Sequence, residues 1–133
     1  GLARVAELRG NVEGARQRLA ELPAEVRGGL EAASLVAWLD LNDLIAQGPA
    51  PQALQDTLNR APDDLDARYH LAIWRVLGGD PETAMEELLA IMRLDRSFRD
   101  DGACKVLLRV FDFVGAEHPV VRRMRARLAM LLN

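Results

Sequence analysis

Residues 69–89 read YHLAIWRVLGGDPETAMEELL, two amphipathic runs flanking the corner GGDPET. Gly78 and Gly79 are helix stop signals, because glycine enters the left-handed C-cap conformation without a Cβ clash. Asp80 is a good N-cap, Pro81 suits the first helical position, and Glu82 sits well near the positive end of a helix. The stretch predicts a helix ending near Leu77 and another starting at Pro81. So short a link makes the two antiparallel neighbours. Each run also carries a small residue, Ala72 and Ala84, 12 positions apart across the corner. Helices approach closely only where the crossing side chains are small. The two alanines are therefore expected to face each other, with Leu71, Leu88 and Ile91 extending the seam at helical spacing.

The pattern recurs along the chain. Ala15, Ala50 and Ala84 are 35 and 34 residues apart, and Leu19, Leu54 and Leu88 follow each by one turn. Pro62 and Arg96 are also 34 apart, and LRGNVEGARQRL has the layout of LGGDPETAMEEL. A period of about 34 marks an array of helix-turn-helix repeats. The middle unit is looser: Ala53 competes with Ala50 for the register, and AQGPAPQ is a longer corner. The coarse map places helices at about 1–9, 11–21, 24–46, 50–60, 64–77, 81–95, 100–114 and 118–131, with Asp63 or Asp64 capping the fifth and RDDG (99–102) opening the seventh. The expected fold is all-α, a superhelix of antiparallel helix pairs, with 1–133 as one helical-repeat domain.

Composition agrees. The chain has 133 residues, half of them hydrophobic and only 5% aromatic, so its core must be mostly aliphatic. Few residues are β-branched, which favours helices on helices over a sheet. The formal charge of −3 gives no overall drive toward nucleic acid. Cys104, the one cysteine, excludes an internal disulfide framework and a cysteine-based metal cluster. No apolar run approaches the roughly 20 residues of a membrane span. The opening GLARVAEL is mid-pattern and lacks a methionine, which reads as a fragment with a further domain expected before it.

Ala72, Gly78, Ala84, Leu88 and Ile91 stand where tetratricopeptide repeats (TPR) carry their signature residues, so unit 65–98 resembles one such repeat. The second half is more specific. GGDPETAMEELL, LDRSFRDDGA with Lys105 following, the helix ending at Phe111–Gly115, and the final run RRMRARLAMLL are similar to the C-terminal region of bacterial thioredoxin–TPR fusion co-chaperones, the chaperedoxins of the YbbN or CnoX type. The likeness covers about 50–133 well and 1–49 loosely; Cys104 departs from the basic or polar residue expected there. The resemblance implies an N-terminal thioredoxin fold, absent from this sequence, and a cytoplasmic protein that holds unfolded clients. It also implies that the C-terminal helix docks to a GroEL-type chaperonin. No cofactor, nucleic acid, membrane or small-molecule substrate is expected from these residues, and nothing redox passes from the resemblance to this chain.

Candidate site residues follow from the terminal helix. Arg122, Arg123, Arg125 and Arg127 make it basic, with no acid after Glu117. At 100° per residue Val121, Met124, Leu128, Leu131 and Leu132 form its apolar stripe, and Met130 falls among the arginines. One reading is a solvated face whose cations suit a helix C-terminus. The other is a docking helix, since arginine and methionine are interface-prone. Cys104 falls beside Leu107, Leu108 and Phe111, which predicts a buried structural thiol. Trp38 and Trp74 lie in apolar runs and read as core or inter-repeat packing. His70 and His118 lack ligand spacing, and Asp100 and Asp101 read as caps rather than catalytic carboxylates. The run 80–101 holds seven acids against three arginines and reads as a solvated face. No convergent polar constellation suggests an enzyme.

Overall fold

The computed structural model describes residues 12–14, 16–17, 20–21 and 30–133. Its helices are α1 (Leu30–Ile45), α2 (Pro51–Arg60), α3 (Leu65–Leu77), α4 (Pro81–Leu94), α5 (Gly102–Val114) and α6 (Pro119–Leu132). No strand occurs among the described residues. The expected helix at 1–9 and the segment 24–29 lie outside those residues; the helix expected at 11–21 is helical wherever it is described.

The corner at 78–81 has the expected chemistry with one refinement. Gly79, not Gly78, takes positive φ, at 97°. The Asp80 N–H donates to the Arg75 carbonyl at 2.8 Å and the Gly79 N–H to the Val76 carbonyl at 3.1 Å. Those two bonds close a Schellman motif and satisfy carbonyls that the end of α3 would otherwise leave open. Asp80 then caps α4, its carboxylate accepting the Thr83 N–H at 3.3 Å, with Pro81 in the first turn. Asp64 caps α3 through the Ala67 N–H at 3.0 Å. His118 caps α6, its Nδ1 accepting the Val120 N–H at 3.1 Å ahead of Pro119.

Ala72 and Ala84 are both fully buried in one apolar cluster with Leu88 and Ile91, and α3 packs along α4. Leu71 is not part of that seam. It joins Leu54 and Ala67 in a smaller cluster between α2 and α3, and Trp74 spans the two clusters as an inter-repeat wedge. The second pair is splayed wider. Bulky Phe111, Val121 and Met124 stand in the cluster where α5 and α6 meet, and α6 lies chiefly along α4.

Two expectations are corrected here. Ala50 is the exposed N-cap of α2 and Ala53 is also exposed, so neither is the small crossing residue of a middle hairpin. The reason is that α1 does not pair with α2. It packs instead on α3 and α5, the first helices of the two following pairs. Of Asp100 and Asp101, both read as caps, Asp101 stands at the N-cap of α5 and its carbonyl accepts the Lys105 N–H at 3.0 Å, but neither holds the extended backbone of an ordinary cap. Arg99, Asp100 and Asp101 all have positive φ, at 49°, 56° and 63°, and the Asp101 side chain accepts no cap hydrogen bond. Gly102 follows because a Cβ there would lie 2.8 Å from the Cβ of Arg99. Left-handed backbone costs about 1–2 kcal/mol per residue for L-amino acids. Arg99 offsets part of this, its guanidinium lying 5.0 Å above the Tyr69 ring and its Nε donating to Asp66 at 2.9 Å.

Candidate functional site

The terminal helix is built as the sequence suggests on its inner side. Val120, Val121, Met124 and Leu128 are buried and Leu131 is half-buried against the core, but Leu132, expected in the stripe, is exposed. The outer side differs from a free basic face. Arg123 pairs with Glu82, and Arg127 donates to Glu86 at 2.6 Å. Arg122 pairs with Glu117 at 2.7 Å, and the Arg125 guanidinium lies 5.0 Å over the Phe111 ring. All four arginines are therefore engaged within the chain. The acids of α4 read as a solvated run are in part their counter-charges. The Arg127 hydrogen bond pulls the Glu86 carboxyl below its ordinary value, against the raising effect of desolvation. Met130 is 78% exposed, the most open large apolar side chain among the described residues.

A second surface was not legible in the sequence. The first helices of the pairs, α3 and α5, form one face of the array, and α1 lies on it. The Ser34 hydroxyl donates to the Phe113 carbonyl at 2.8 Å, and Asp40 pairs with Arg109 at 3.3 Å. Asp43 and Leu44 come near Gly102 and Lys105, so α1 runs antiparallel to α5. Leu41 and Ile45 enter the same apolar cluster as Tyr69, Ile73, Val106 and Val110. At the edge of this contact a cavity of about 470 Å³ opens between Asp40, Asp43, Tyr69, Arg99, Lys105 and Arg109. Tyr69 is buried beside it, and burial raises its phenol pKa against the lowering influence of Arg99.

The remaining candidates find plainer places. Cys104 is half-buried at the margin of the core, and Leu108 beside it is exposed, so the thiol is less shielded than expected. The His70 Nδ1 is 2.8 Å from the Asp66 carbonyl, one turn back on its own helix. A second cavity, about 420 Å³, is flanked by Asn42, Ile45, Gly48 and Trp74, whose indole N–H has no partner among the described residues. Among the described residues no group of three or more His, Cys, Asp or Glu is placed to hold a metal ion. Among them too, no helix is long and apolar enough to cross a membrane.

Stacked helix pairs with a laid-in helix and an open terminal face define a helical-repeat protein of the kind that works by contact. A family model for the tetratricopeptide repeat matches residues 45–133, and the chain belongs to that family. No curated protein and no solved structure matches the chain. Tetratricopeptide repeats are protein-interaction modules, so proteins are the expected class of partner.

Proposed function

We propose that this chain is the protein-binding region of a thioredoxin–TPR co-chaperone, a cytoplasmic protein that holds unfolded clients and docks to a GroEL-type chaperonin through its terminal helix. Residues 1–133 act as one repeat domain behind a thioredoxin-like domain, and the reading assigns the chain no catalysis. The observation that carries the docking element is Met130, 78% exposed on a helix that also carries Arg122, Arg123, Arg125 and Arg127. An exposed methionine offers an adaptable apolar contact, and arginines at its border steer toward an acidic partner.

The ion pairs govern the choice of variants. Arg123 and Arg127 tie α6 to α4, so replacing them loosens packing as well as docking. Capture of a GroEL-type chaperonin by the immobilised chain is the test, with Met130→Ser/Arg122→Gln as the weakened variant and Glu82→Gln/Glu86→Gln as one that releases two arginines. Capture reduced by the first and raised by the second, with unchanged helical spectra, supports docking through this face. Equal capture by all three moves the site elsewhere. No capture by any favours a second reading, a TPR scaffold for complex assembly with no chaperone role. The internal pairing of all four arginines speaks for that alternative.

A further inference from the structure

The link between α4 and α5 runs from Asp95 to Asp101. Arg99, Asp100 and Asp101 are the only non-glycine residues with positive φ among those described, and they are consecutive. Aspartate enters the left-handed region singly, where its short side chain can bond nearby backbone. Arginine has no such compensation, and a run of three repeats the Cβ crowding at every step. Backbone of this kind persists only where its surroundings hold it.

Three contacts hold the run. The Gly102 N–H donates to the Phe98 carbonyl at 3.0 Å and closes the turn. The Phe98 ring meets the Tyr69 ring at 67°, with 5.7 Å between centroids. Arg99 lays its guanidinium over the Tyr69 face and bonds Asp66. The Arg99 and Asp66 side chains are 46% and 63% exposed, and ion pairs and cation–ring contacts so open to water return little. The strained run is thus held by contacts that solvent can replace, while Gly102, Val106 and Leu107 just beyond it are buried in the packing of α5. What the run covers is Tyr69. That side chain is only 4% exposed, although it lines an open depression of about 470 Å³ together with Arg99 and Gly102.

We propose that residues 98–101 are a strained lid on Tyr69, latched by Arg99 and opening locally while α4 and α5 stay packed. In the open form Arg99 leaves the Tyr69 ring and Asp66, and the run relaxes out of its left-handed backbone. The Tyr69 ring is then uncovered to the depression, which Lys105 and Arg109 border. Strain and latch act in opposite directions. The strain exists only in the closed form and raises the open fraction; the Arg99 contacts also exist only there and lower it. The ring is therefore available from the α3–α5 side for part of the time, and whatever engages it does so with an apparent affinity scaled by the open fraction. The lid lies on a different surface from the terminal helix and does not depend on the co-chaperone reading.

Tyr69 is the only tyrosine of the chain, so its nitration by tetranitromethane reports the lid. The parent for the test carries Cys104→Ser, because the reagent also consumes thiols. In the folded parent Tyr69 should react at least about tenfold more slowly than in the denatured chain, at a rate that low urea leaves unchanged, since a local opening exposes little new surface. A rate that climbs with urea in step with global unfolding overturns the lid, and so does reaction as fast as in the denatured chain. Two variants separate latch from strain. Arg99→Ala removes the guanidinium and keeps the strained backbone, whereas Arg99→Gly removes both, because glycine takes positive φ freely. With helical spectra alike, Arg99→Ala should react faster than the parent and at least about threefold faster than Arg99→Gly. Arg99→Ala no faster than the parent denies the latch, and equal rates for the two variants deny that strain drives opening; either result overturns the proposal. Should a variant fail to fold, the urea series on the parent decides.

Discussion

Single residues set the closest approaches in this molecule, and each can be tested singly. Ala84 is fully buried where α4 lies on α3, with Ala72 in the same cluster. Ala84→Leu should overpack that crossing and cost about 1–3 kcal/mol, seen as a lower melting temperature. A melt indistinguishable from the parent would dissociate Ala84 from the crossing. Gly79 holds a φ of 97° that an L-residue resists, so Gly79→Ala should cost about 1 kcal/mol even though no neighbouring atom obstructs a Cβ. Cys104 gives a chemical readout. Half-buried beside exposed Leu108, it should label more slowly in the native chain than in denaturant, but not be wholly protected. Complete protection over the same period would place it deeper than the structure has it.

At the scale of elements, the clasp between α4 and α6 joins two helices that run in the same direction. Arg123 meets Glu82 and Arg127 meets Glu86, one turn apart on both sides. Exposed pairs of this kind contribute about 0–1 kcal/mol each. The Glu86 carboxyl titrates below its ordinary 4.5 in the folded chain because Arg127 donates to it. In acid the unfolded chain takes up its proton first. The pair's contribution is therefore present above the ordinary value and is lost as pH falls through the lower, folded one. Wild type should melt above Glu86→Gln near about pH 7, and the gap should shrink steadily as the pH is lowered through the acid range. A gap that stayed constant through acid would assign the difference to packing and not to charge. The elements themselves were legible. Gly78–Pro81, Asp64 and His118–Pro119 carry their start and stop signals locally, and the described helix bounds follow them within two residues. The RDDG segment was not legible. Its left-handed run depends on Arg99 finding the Tyr69 ring and Asp66, 30 and 33 positions earlier in the chain.

Across the whole molecule, stability is set first by the main apolar cluster, which α1 shares with the repeat stack. Leu88 lies at the centre of the main cluster, and Leu88→Ala should destabilise the chain globally by about 2–5 kcal/mol. Leu41 enters the same cluster from α1. Leu41→Ala should speed hydrogen exchange in α1 well before it affects α3 and α4, because the repeat pair keeps its own local contacts. Loss of protection in all three helices together would mean that α1 and the stack unfold as one unit.

By itself the sequence determined the period of 34, the caps and corners, and the face that each helix of the α3–α4 pair buries, because those are written in neighbouring residues and helical spacing. It did not decide where α1 goes. α1 is apolar around much of its circumference, with Leu41 and Ile45 inward and Val36 and Leu44 outward, so periodicity names no single face and any apolar groove would receive it. Nor did the sequence pair the acids of α4 with the arginines of α6, which stand 41 positions apart. Both outcomes depend on which surfaces come together once the pairs have stacked. Only the tertiary structure decided them, because charge and apolar area act through distances in space that a linear pattern does not contain.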